Sequence, residues 1–160
     1  NKLCDMAREE IGSWISGPKS ALESQGVDFG YPGERLGLPE NGPGSVSSVG
    51  RKALALTIDW LTAVVLSKAL DHNMGPQQAA LLVLEIFAAQ VAFSTILSGA
   101  SFGQRIMGIG VMTLDKHRLP VGRIIVRTLL MCLVIPAVVY DRDNRGLHDK
   151  AVNSVVIRTR

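Results

Sequence analysis

Asp59 interrupts one long apolar run, Glu85 and Gln90 interrupt a second, and Arg127 sits near the start of a third. A carboxylate about two turns inside a membrane-crossing helix costs roughly 2.5–3.5 kcal/mol near the bilayer centre, so it has to be paired, hydrated or protonated. Asp59 therefore admits two chemistries. It can fix the fold through an ion pair and hydrogen bonds, or it can handle a proton or ion together with Glu85. Arg51 stands eight residues earlier, about 12 Å along a helix axis at 1.5 Å per residue, too far for pairing within the helix. Arg105 and Arg127 are the candidate partners, since a guanidinium meets a carboxylate through two parallel N–H donors.

Other chemistries find little footing. His72, His117 and His148 are scattered without metal-ligand spacing, and Cys4 and Cys132 provide neither a disulfide framework nor a paired-cysteine metal site. Gly108 and Gly110 lack the third glycine of a dinucleotide fingerprint and open no βαβ unit. No nucleophile, base and orienting acid appear in a usable order, so neither an enzyme nor a cofactor is expected. The net charge of +3 comes from basic residues that flank apolar runs, with few aromatics among them, which argues against nucleic acid.

The elements that would position these residues follow from hydropathy. Of the 160 residues 47% are hydrophobic, and they concentrate after position 52, as in a membrane module. Ala53 to Leu70 reads as a first transmembrane helix and Gln78 to Ser98 as a second, joined through Gly75-Pro76. Ile106 to Leu114 and Ala151 to Ile157 are β-prone and invite pairing as a small cytoplasmic hairpin. Between them, Ile124 to Tyr140 carries Arg127 and Pro136, which leaves too short an apolar stretch to cross straight. It is expected as a re-entrant or interfacial helix bent at Pro136. Only Lys68 among the 17 Lys and Arg residues lies by the loop between the long helices. The positive-inside rule thus puts both termini in the cytoplasm.

Residues 1–49 form an irregular Gly/Pro-rich segment, an extended N-terminal tail whose first five residues precede a start-like Met6-Ala-Arg-Glu-Glu. Such a tail buries too little apolar surface to order itself. Trp14, Phe29, Tyr31, Leu36 and Leu38 are its apolar anchors for a partner surface, and Arg8 to Ile15 has room for a short helix. Residues 50–160 form the membrane domain.

Three ordered motifs in that domain resemble the RDD family of bacterial membrane proteins. They are Gly50-Arg51-Lys52-Ala53 with Asp59 following, Gly99 through Gly103, Arg105 and Gly108, and Arg145-Gly146-Leu147-His148-Asp149-Lys150-Ala151. The family takes its name from one arginine and two aspartates, and the resemblance implies Arg51, Asp59 and Asp149 for these. It also implies two membrane helices and a bacterial cytoplasmic-membrane location, with transport suggested but activity mostly unassigned. Gln104 stands where the family usually has lysine, and Asn153-Ser154 where it usually has Gly-Thr. The expected function is an accessory or scaffold subunit of a larger membrane complex, with other integral membrane subunits as partners. The alternatives are a small transporter or ion/proton antiporter component using Asp59 and Glu85, and a regulator that binds anionic lipid head groups through Arg118, Arg123, Arg127 and Arg145.

Overall fold

The computed structural model describes residues 30–70, 74–133 and 143–160, and the account below concerns the compact unit that begins at Pro32. Trp14, Phe29, the expected Arg8–Ile15 helix and the expected bend at Pro136 lie outside the described residues. Two long helices dominate: Val49–Leu70 (α1, 22 residues) and Pro76–Ser98 (α2, 23 residues). At 1.5 Å per residue each is about 33–35 Å long, enough for a hydrocarbon core of about 30 Å. Pro76 starts α2 at its first helical position, where a missing N–H has no cost. Gly99 ends it in the left-handed region at φ 73°, its N–H donating to the Thr95 carbonyl at 2.8 Å.

The two helices pack through stripes spaced four residues apart. Ala55, Asp59, Ala63 and Ser67 are the buried residues of α1, and Phe87, Val91 and Thr95 those of α2. Small side chains on one helix let the other approach closely, the packing that works in lipid, where no hydrophobic force pushes helices together. Only 22% and 17% of the most apolar stretches of α1 and α2 are buried within the protein. A core helix of a water-soluble domain would be mostly covered. Here Leu54, Leu61 and Val65 on α1 and Leu81, Phe93 and Leu97 on α2 are exposed, the surface a membrane solvates.

At one end of this pair lies a small cap. A short helix Phe102–Ile106 (α3) leads into strand Ile109–Thr113 (β1), followed by helix Val121–Cys132 (α4), a turn of helix Leu147–Ala151 (α5) and strand Ser154–Arg158 (β2). β1 and β2 pair antiparallel, with Ile109 opposite Arg158 and Thr113 opposite Ser154. Their pairing is the one expected, but α4 and α5 intervene between the strands, so the sheet is no hairpin. Ile109, Val111 and Val156 from the sheet meet Ala55, Leu119, Ile124 and Val152 in one apolar cluster. α4 lies against α2, and its Met131 and Cys132 reach a second cluster around Ala63, Phe87 and Val91.

The segment before α1 is not a free strap. Gly44 and Ser47 donate their N–H groups to the carbonyls of Arg158 and Val156 at 2.8 and 2.9 Å, and Arg158 returns one to Ser45 at 2.9 Å. Residues 44–47 thus pair with the outer edge of β2, covering donors and acceptors that a bare edge strand would offer to other chains. Leu38, expected to anchor a partner, is instead buried within this unit at 6% exposure. Leu36 is half-buried, and Tyr31 lies outside this unit. For residues 44–47, the order expected to come from a partner comes from the chain's own sheet.

Candidate functional site

Asp59 points from the buried stripe of α1 toward the first turn of α3. Its Oδ1 accepts the Gly103 N–H at 2.7 Å, and its Oδ2 accepts a short hydrogen bond from the Ser101 hydroxyl. Ser101 is also the N-cap of α3. Its Oγ accepts the Gln104 N–H at 3.3 Å, and the Gln104 side chain accepts the Ser101 N–H at 3.0 Å, a capping box. The carboxylate of one helix therefore satisfies an orphan N–H of another, at the end of a helix dipole that favours negative charge. The arrangement needs Gly103. A Cβ there would stand 2.1 Å from the Ala55 carbonyl oxygen and 3.1 Å from Asp59 Cγ, so only glycine lets α3 lie this close to α1.

A second carboxylate is held nearby. Ile124, Arg127 and Thr128 form the buried face of α4, and Arg127 Nε donates to Asp149 Oδ1 at 2.8 Å, with side chains 2% and 0% exposed. Ser154 Oγ donates to the same oxygen at 3.3 Å, and His148 Nε2 lies 3.5 Å from the other. Burial alone would raise the pKa of Asp149, but the charges of Arg127, His148 and Lys52 together hold it below the ordinary 3.8. Lys52 Nζ donates to the Asn144 carbonyl at 2.5 Å, and Arg145 Nε to the Ser154 carbonyl at 3.2 Å. A cavity of about 30 Å³ separates the two carboxylates, lined among others by Lys52, Gln104, Arg127 and His148. That is room for a water molecule, not for a hydrated ion.

The structure thus reassigns the expected partners. Arg127 binds Asp149 instead of Asp59, and Arg105 is exposed at the end of α3, away from both. Asp59 needs no arginine, since hydroxyl and amide donors satisfy it. The Arg51 side chain is half-buried and makes no hydrogen bond or ion pair among the described residues; its neighbour Lys52 is the α1 cation that faces the cap. Glu85 is exposed on α2 and does not meet Asp59. Sequence reasoning missed Ser101, Gly103, Lys52 and Ser154 as site residues. Two signals were available: Ser101 and Gln104 have the spacing of a capping box, and Arg127 lies on the Ile124–Thr128–Met131 face of an amphipathic helix.

The family departures also find physical reasons. Gln104 closes the capping box with its side chain. Asn153 has φ 51°, a left-handed conformation that glycine adopts freely and asparagine tolerates. Ser154 supplies the hydroxyl that Asp149 accepts, as a threonine there would.

No curated protein and no solved structure matches the chain. The family model that matches is the RDD family, over residues 46–153. That span holds Asp59, Ser101, Gly103, Arg127 and Asp149, both long helices and the junction between them and the cap. With most of its length accounted for by that model, the chain belongs to the RDD family, a membrane-associated domain.

Proposed function

We propose that the protein is a non-catalytic subunit of a larger assembly in the bacterial cytoplasmic membrane, anchored by α1 and α2 and joined to other integral subunits along the outer face of α2. The observation that carries this reading is Glu85. It is exposed nine residues into α2, in a stripe with Leu81, Ala89, Phe93 and Leu97, about 13 Å from the start of the helix. A carboxylate facing lipid at that depth costs roughly 2.5–3.5 kcal/mol. A neighbouring helix that offers a cation or hydrogen-bond donors removes that cost. In Glu85→Leu, the chain should still accumulate in the membrane, while its high-mass species on native gels of gently solubilised membranes disappears. An unchanged high-mass species in Glu85→Leu overturns the reading.

Transport has less behind it. An ion path through the chain would need Asp59 and Glu85 on one route, yet one carboxylate is tied to α3 and the other faces outward. The lipid-regulator reading loses Arg127 and Arg145, both engaged internally.

The same reading makes α4 re-entrant and places both termini in the cytoplasm. Support comes from the chain on either side of the segment: Val121 follows the cap directly, and Asn144 is back at Lys52 in the first turn of α1. In a background without other cysteines, a membrane-impermeant thiol reagent added outside cells should label Gln77→Cys but neither His117→Cys nor Thr159→Cys. Labelling of Thr159→Cys from outside would establish an odd number of crossings.

A further inference from the structure

A cleft of about 600 Å³ opens where α2 ends, lined by Ser98, Gly99 and Ala100 together with β1, the β1–α4 turn and the end of β2. Its charged lining consists of Arg105, Lys116, Arg118 and Arg160, joined by His117, and no acidic side chain lines it. Arg105, Lys116 and Arg118 are exposed and make no ion pair among the described residues, while Arg160 is steadied by donating to the Arg105 carbonyl at 3.2 Å. Like charges gathered around one cavity repel each other, and an anion placed among them relieves the repulsion. The volume lies within the 300–1,000 Å³ typical of small-ligand sites. The position adds a second constraint. The cleft sits at the membrane–water boundary of α2, and Phe102 and Ile106 on adjoining α3 are about half exposed.

We propose that this cleft binds a phosphate anion, specifically the head group of an anionic phospholipid, with Arg105 and Arg118 gripping the phosphate and the acyl chains running past Phe102 and Ile106. Guanidinium groups match phosphate oxygens in pairs, and apolar side chains beside them suit a ligand whose other end is hydrocarbon. This set differs from the one the sequence suggested, sharing only Arg118 with it. It rests on the membrane placement of α2 and not on the assembly reading built on Glu85.

The test uses the full chain, purified in neutral detergent and stripped of lipid, titrated with phosphatidylglycerol, phosphatidylcholine or inorganic phosphate and followed by native mass spectrometry. Phosphatidylglycerol should bind well ahead of phosphatidylcholine. Each cleft cation removed should weaken it about five-fold, so Arg105→Gln with Arg118→Gln should weaken it about 25-fold. Lys116→Gln alone provides an independent variant with about a five-fold loss. These side chains are exposed, so thermal midpoints should not move. Arg123→Gln, an exposed cation on α4 outside the cleft, should leave binding unchanged. Equal binding of phosphatidylcholine, or an equal loss in Arg123→Gln, would overturn the site. Inorganic phosphate binding as tightly as phosphatidylglycerol would overturn the lipid as its ligand.

Discussion

Arg127→Leu is expected to destabilise the protein by about 3–5 kcal/mol, because it leaves Asp149 as a fully buried charge without its guanidinium. The loss of one partner is worse than the loss of both. Arg127→Leu combined with Asp149→Leu removes the uncompensated charge and should recover much of the stability, since apolar pairs of similar volume often replace buried ion pairs without penalty. Recovery should be incomplete, because Lys52 then loses the negative charge that offsets its own, while Ser154 Oγ keeps the Asp149 backbone carbonyl as acceptor at 3.2 Å. Thermal unfolding of the detergent-solubilised chain, followed for Arg127→Leu, Asp149→Leu and the double variant, measures the coupling. If the double variant is no more stable than the sum of its single losses predicts, the pair is not the tie between α4 and α5. The acid limb gives a second reading of the same contact. A carboxylate with a depressed folded pKa stabilises fully above its unfolded value near 3.8 and loses that contribution as pH falls through the folded value. The pair should therefore hold constant through neutral and mildly acidic conditions and fail only below about pH 4.

The long helices, the strand pairing and the buried place of Asp59 were legible in the sequence because each leaves a local mark, whereas Asp149 was singled out only through the family resemblance. Apolar length marks a membrane helix, β-branched residues mark the strands, and a charge in an apolar run is conspicuous. The partners were less legible, since pairing is a property of the fold. Nothing near Asp149 in sequence points to Arg127, and helix length alone put Asp59 deep in lipid when α3 in fact folds back beside it. The expectation of an arginine for Asp59 assumed that a buried carboxylate wants a cation. One backbone amide and a hydroxyl do the same work at a helix start, and Ser101 with Gln104 carried that signal in its spacing. The segment around Leu38 misled for the opposite reason. Proline and glycine prevent a regular element from propagating, but they do not prevent residues 44–47 from pairing with an edge strand already in place.

Asp59→Leu should destabilise the protein by about 2–6 kcal/mol, since it strands two buried donors, the Ser101 hydroxyl and the Gly103 N–H, each costing about 1–3 kcal/mol when unmet. Asp59→Asn should cost less. Its carbonyl can still accept the Gly103 N–H, and its amide can donate to Ser101 Oγ, which has a second lone pair beyond the one that accepts Gln104. What it gives up is the acceptor for the Ser101 O–H and the charge, and a charge-assisted hydrogen bond exceeds a neutral one by about 1 kcal/mol. Gly103 sharpens the contrast: a branched leucine meets a backbone already in close approach, so α3 must move away from Ala55 as well as lose its bonds. Membrane accumulation and thermal midpoint of the two variants, compared with proton or sodium flux in vesicles, separate the roles Asp59 could play. A fold-fixing carboxylate gives a stable Asp59→Asn and a failing Asp59→Leu. Equal losses of stability in both would mean that the charge itself, not the pair of accepted hydrogen bonds, holds α3 to α1. Normal stability of Asp59→Asn with a measurable flux abolished would assign Asp59 to ion handling, and the subunit reading would fall with it.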